Sequence, residues 1–118
     1  MPGRITVRAR GRTRKQPGTM NKLETRYAEL LEQKKQLGLI FDWRFECLAF
    51  RLAKGCTYNP DFMVITFDGM VEIHETKGFW EEDARVKIKA AAEMFPWFRF
   101  VGVQFKKGEW LIEEFEPR

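Results

Sequence analysis

Hydrophobic positions along the chain follow two periods. From Asn21 the period is helical: Leu23, Tyr27, Leu30 and Leu31 recur on one face, Asn21 stands at the cap, Glu24 takes the capping-box position and Gly38 marks the end. A second helix is predicted over residues 81–95, with acids in its first turn, Ala84, Ile88, Ala91, Ala92 and Phe95 on one stripe, and Pro96 as its stop. The apolar stretch 43–52 reads as a strand whose inward set changes phase between Cys47 and Leu48, as a bulged or bent strand would. The Lys54-Gly55 turn sends the chain back. Residues 58–67 and 70–77 then read as two strands joined through Asp68-Gly69. Residues 98–105 are nearly all apolar, as in a strand buried on both faces, and 106–109 turn it into a last strand over 110–115. The predicted order is helix, three strands, helix, two strands. No internal repeat is visible.

The register of the central hairpin decides which side chains share a face. A two-residue Asp68-Gly69 loop would set Met63 and Ile65 beside Glu72 and His74, mixing apolar and polar residues. A three-residue loop of Phe67, Asp68 and Gly69, with Gly69 left-handed, pairs Thr66 with Met70 and sets Met63 and Ile65 beside Val71 and Ile73. The apolar pattern prefers the second register. Continued, it places Asp61 opposite Glu75, with Lys77 one step further on the same face and His74 on the other.

Two carboxylates and an ammonium beside an apolar face are costly unless they serve a purpose, because like charges repel and burial disfavours each of them. A divalent cation resolves the conflict. Hard oxygen ligands from Asp61 and Glu75 suit Mg²⁺, which keeps waters and leaves room for phosphate oxygens. Lys77 would orient or deprotonate an attacking water, or stabilise charge on the phosphate. The chemistry indicated is phosphodiester hydrolysis. The plain alternative is a strand-end ion pair of Lys77 with Glu75 or Asp61, which needs no metal. The bare text pattern is weak, since Glu32-Gln33-Lys34 repeats it within a helix.

Charge adds a second picture. The 118 residues carry a net charge of +4, yet Arg4, Arg8, Arg10, Arg12, Arg14 and Lys15 put six cations and no acid into the first 19. The remaining residues are net acidic. Residues 1–19 are therefore read as a basic arm, disordered alone, that lies along nucleic-acid phosphates through Arg8, Arg10, Arg12, Arg14 and Lys15. Residues 20–118 are read as one domain, for which 44% hydrophobic and 14% aromatic residues supply a core. Arg85, Lys87 and Lys89 on the second helix are further candidates for phosphate contact, although Glu81 to Arg85 and Asp83 to Lys87 have the spacing of ordinary i,i+4 ion pairs. Cys47 and Cys56 read as reduced packing residues. No signal peptide or membrane span is apparent, so a soluble, cytoplasmic protein without membrane contact or small-molecule cofactor is expected.

The succession of elements, with Pro60-Asp61 and Glu75-Thr76-Lys77 on adjacent strands, resembles the PD-(D/E)XK nuclease superfamily over about residues 20–105. More narrowly, Asn21-Lys22-Leu23-Glu24, Tyr58-Asn59-Pro60-Asp61-Phe62 and Glu75-Thr76-Lys77-Gly78-Phe79 resemble small phage and prophage nuclease-like proteins grouped with phage and archaeal Holliday-junction-resolving endonucleases. The resemblance implies a restriction-endonuclease-like αβββαβ core, with a helix on each side of a central mixed sheet. It also implies Mg²⁺ or Mn²⁺ on Asp61 and Glu75 with help from the Thr76 backbone carbonyl, a catalytic Lys77, and a fourth acid on the first helix, where Glu24 fits. Its function would be endonucleolytic cleavage of branched DNA by a homodimer. A nicking or repair nuclease on the same core and a non-catalytic DNA-binding module are the competing expectations.

Overall fold

The structure, a computed structural model, describes residues 3–7, 19–78 and 82–117. In chain order its elements are β1 (Arg4–Val7), α1 (Lys22–Gln36), β2 (Asp42–Phe45), β3 (Leu48–Ala53), β4 (Cys56–Tyr58), β5 (Phe62–Ile65), β6 (Val71–Lys77), α2 (Glu82–Met94), β7 (Arg99–Lys106) and β8 (Glu109–Phe115). The strands form a mixed five-stranded sheet, ordered β2-β5-β6-β7-β8, and a smaller antiparallel sheet, ordered β1-β3-β4. β6 and β7 run parallel, joined by α2, and the other neighbours are antiparallel.

The hairpin adopts the register that the apolar pattern prefers. Met63 pairs with Ile73 and Ile65 with Val71, while the Thr66 N–H donates to the Met70 carbonyl at 3.0 Å. Gly69 takes φ +87°, the left-handed conformation that this loop demands and that glycine adopts without a Cβ clash.

Because successive side chains on a strand alternate, the large sheet presents two apolar faces, and each is covered. On one, Tyr27, Ala28 and Leu31 of α1 pack on Phe62, Val64, Val101 and Val103. On the other, Ile88, Ala91 and Ala92 of α2, together with Leu48, Phe50 and Tyr58 of the small sheet, pack on Ile73, Phe100 and Phe115. α1 is closed by a full capping box: the Glu24 N–H donates to Asn21 Oδ1 at 2.7 Å, and the Asn21 N–H donates to Glu24 Oε1 at 2.9 Å. His74 lies on the α1 face, its Nδ1 2.6 Å from the Tyr27 hydroxyl and its Nε2 2.9 Å from Glu72. Neither cysteine is in a disulfide.

Three expectations are corrected. The stretch 43–52 is not one bulged strand: it breaks at Glu46, which adopts φ +52°, into β2 of the large sheet and β3 of the small one. Residues 58–67 divide likewise, into β4 and β5, at Asn59, Pro60 and Asp61. The two breaks face each other, with the Glu46 N–H donating to the Asp61 carbonyl at 2.8 Å. One long hairpin is thus folded over at its middle, half of it in each sheet. The third correction concerns the boundary near residue 19, which the fold crosses: Arg4–Val7 is a strand antiparallel to β3, from Arg4 opposite Arg51 to Val7 opposite Leu48. Gly3 precedes it where the backbone runs against Phe95, and a Cβ there would meet that ring at 2.5 Å. The arm residues Arg8, Arg10, Arg12, Arg14 and Lys15 lie outside the described residues. No helix among the described residues is long and apolar enough to cross a membrane.

Candidate active site

The fold-over of the hairpin creates the site. Asp61 is the last residue of the crossing between sheets, next to the first residue of β5, and Glu75 and Lys77 alternate on the end of β6 beyond the point where β5 stops pairing. Continuing the β5–β6 register by one hydrogen-bonded pair would set residue 60 opposite Thr76. That residue is Pro60, which has no N–H, so the Thr76 carbonyl receives no ladder donor from it. The Thr76 N–H goes instead to Asp61 Oδ2 at 2.9 Å, and the Thr76 hydroxyl donates to the same oxygen at 2.9 Å. Pro60-Asp61 therefore ends the ladder, locks the Asp61 carboxylate and leaves a carbonyl beside it.

Glu75 is clasped from both sides. The Tyr58 hydroxyl, from the small sheet, donates to Oε1 at 3.0 Å, and Lys77 Nζ lies 3.0 Å from Oε2. Asp61 is 8% exposed and Glu75 5%, whereas the Lys77 side chain keeps 35% of its surface in water. Across the parallel pair, Glu75 faces Gly102, so β7 offers no side chain at that position.

The electrostatics follow from this burial. Loss of solvent, and then the nearby Asp61 charge, raise Glu75 from 4.5 to about 7, although Lys77 and Tyr58 pull the other way. Burial also raises Asp61, against the Thr76 hydrogen bonds and the Lys77 charge that lower it. Burial opposes the charge on Lys77, yet Glu75, Asp61 and Glu24 together outweigh it and hold the ammonium above its ordinary value. Tyr58 stays protonated, pushed well up by burial and by the Glu75 charge.

Glu24 belongs to this cluster as well as to the helix cap. Burial and then the charge of Asp61 raise its carboxyl, against the Asn21 backbone hydrogen bond that lowers it. One carboxylate oxygen caps α1 while the group as a whole faces Asp61, so capping and site membership coexist. Asp61, Glu75, Thr76, Lys77 and Glu24 are all brought together. Among the described residues, no group of three or more Asp, Glu, His or Cys side chains is gathered so as to hold an ion by itself.

The α2 candidates behave differently. Arg85 bonds to Glu113 of β8 at 2.5 Å, and its guanidinium lies 5.7 Å from the Phe115 ring centroid. Lys87 does not pair with Asp83 as the helical spacing suggested: its ammonium reaches across to the Thr57 carbonyl at 3.2 Å. Lys89 is exposed, and Glu81 lies outside the described residues.

Two participants were missed in the sequence. Tyr58 enters the sequence reading only within the Tyr58-to-Phe62 motif, and only the break after it shows that its hydroxyl turns toward Glu75. Glu46 carries no periodic signal at all, yet its backbone supports Asp61 and its charge acts on Glu24. The one available clue was the phase change beside it at Cys47. No protein-family model, curated protein or solved structure matches this chain.

Proposed function

We propose that this protein is a metal-dependent endodeoxyribonuclease of the PD-(D/E)XK type that cleaves branched DNA. The observation that carries the reading is the pair of buried, mutually repelling carboxylates, Asp61 and Glu75, set at the fold-over of the hairpin with Lys77 alongside. Such a pair is unfavourable without a cation, and the mixed α/β sheet with a helix on each face accords with a restriction-endonuclease-like core.

The donor set suits Mg²⁺ or Mn²⁺. Two carboxylates and the Thr76 carbonyl are hard oxygen ligands, and water and phosphate oxygens would complete the set. Held by Asp61, Glu75 and the Thr76 carbonyl, the ion would supply Lewis-acid polarisation of the phosphodiester and ease ionisation of the attacking water. The chain's own residues divide the remaining work. Lys77, its ammonium favoured by the neighbouring acids and its side chain 35% exposed, stabilises negative charge on the phosphate. Thr76 and Tyr58 fix the orientation of Asp61 and Glu75. Glu24, its carboxyl raised by burial and by the charge of Asp61, stands beside that residue, a position suited to relaying a proton.

DNA is the substrate that the charge distribution favours. Both ends of the segment bearing Arg8, Arg10, Arg12, Arg14 and Lys15 are tied close to the acids: Val7 pairs with Leu48, two residues from Glu46, and Thr19 stands two residues before the cap of the helix that carries Glu24. A basic segment joined in sequence to those two described ends is suited to a polyanionic substrate. A homodimer completes the reading, since a four-way junction offers two equivalent strands to two equivalent subunits.

The test is cleavage of labelled linear, nicked, flap and four-way-junction DNA with Mg²⁺, Mn²⁺ or EDTA by wild type, Lys77→Ala and Asp61→Ala. Metal-dependent cutting of the junction, reduced at least about 100-fold in both variants, is expected. Equal cutting of every substrate refutes branch selectivity, and absence of cutting by folded, DNA-binding protein replaces the enzyme with a binding module.

A further inference from the structure

The small sheet carries cations that the site does not use. Its strands and the turn between β3 and β4 contain Arg4, Arg51 and Lys54 and no acidic residue. Arg4 and Arg51 occupy directly opposed positions, and Arg51 is in turn paired with Thr57 on β4. The Thr57 carbonyl takes the Lys87 ammonium from α2 at 3.2 Å. Positions 4, 51 and 57 and the Lys87 head group therefore form one continuous row across three strands and over the sheet edge. Arg51 and Thr57 are exposed, while their neighbours Phe50 and Tyr58 point inward to the core, so the row lies on the outer face.

Lys35, Arg44, Arg85 and Arg99 each meet a carboxylate, whereas among the described residues Arg51, Lys54 and Lys87, like Lys22, Lys34, Lys89, Lys106 and Lys107, meet none; what sets the small sheet apart is that its strands and turn hold no acid at all. At strand spacings of roughly 4.8 Å the row spans about 15 Å, the axial rise of about four nucleotides of one strand. A nucleic-acid backbone has the charge spacing to match. The neighbouring β4 residue, Tyr58, touches Glu75 from the inner face, so the row and the site are the two sides of one thin sheet.

We infer that the outer face of the β1-β3-β4 sheet is a second nucleic-acid contact surface, engaging the phosphates of a duplex segment through Arg51, Lys54 and Lys87. The inference rests on the proposed nuclease reading for its ligand, but not on catalysis. The experiment measures binding of full-length protein to a labelled DNA duplex and four-way junction by fluorescence anisotropy in EDTA over a salt series, comparing wild type with the Arg51→Gln, Lys54→Gln, Lys87→Gln triple variant. All three positions are exposed, and melting of the variant confirms that it folds. Expected is affinity at least about 10-fold weaker at moderate salt, with the slope of log K against log salt shallower by about two to three, one per lost phosphate contact. Wild-type affinity and slope in the triple variant overturn the surface while leaving the nuclease reading intact. Failure of the wild-type protein to bind DNA at any salt overturns both.

Discussion

Glu75→Gln tests whether the site stores strain in the metal-free fold. In the folded protein Glu75 ionises at about 7 instead of 4.5, and at roughly 1.4 kcal/mol per pH unit that difference amounts to about 3 kcal/mol. The sign follows from which state holds the proton. Between pH 4.5 and 7 the unfolded chain has already released it while the native chain retains it, so unfolding is increasingly favoured as pH rises, and above 7 the full cost is felt. Gln resembles the protonated acid in shape and cannot ionise. The variant should therefore match wild type near pH 4.5 and exceed it by about 3 kcal/mol at pH 8.5, a rise of roughly 10 °C in Tm for a domain of this size. Urea denaturation in EDTA at both pH values, followed by circular dichroism, reads the difference directly. A variant no more stable than wild type at pH 8.5, or more stable by the same amount at both pH values, refutes the argument. Repeating the alkaline measurement with Mn²⁺ adds a second arm. A ligand at 100 times its dissociation constant stabilises wild type by about 2.7 kcal/mol, and the variant, lacking the carboxylate, should gain much less.

Two further substitutions separate the parts of the site. Thr76→Val keeps the backbone donor to Asp61 but removes the hydroxyl from Oδ2; it should cost about 1–3 kcal/mol in urea denaturation and weaken Mn²⁺ binding by calorimetry, with Thr76→Ser restoring both, and equal losses in the Ser variant would refute a positioning role for the hydroxyl. Pro60→Ala returns an N–H to the position facing Thr76, so the ladder can extend and engage the carbonyl; Mn²⁺ affinity should fall about 10-fold or more, whereas unchanged affinity would remove that carbonyl from the ligand set.

What could be read in advance was whatever depends on a single period. The Asp68-Gly69 loop and the apolar residues on both strands admit one consistent register, which holds from Ile65–Val71 to Phe62–His74 and ends just short of Asp61; the helices announce themselves by Asn21, Gly38 and the Ala-rich stripe. What escaped depends on how two sheets stack. A strand that changes sheets at Glu46 and one that changes at Pro60 look in sequence like a phase error and an ordinary proline, and only their mutual hydrogen bond shows that they are a single bend. β1 was hidden for a related reason: four residues among arginines bury little by themselves and become a strand only because β3 offers an edge. The Lys87 contact escaped because helical spacing knows nothing of a β4 carbonyl arriving from another layer. The hidden features are also those nearest the chemistry. A site that places two like charges beside a core needs backbone that departs from the local pattern, here a left-handed Glu46 and a proline that ends a ladder, so the failure of periodicity at residues 46 and 60 was itself the sign of where the acids would meet.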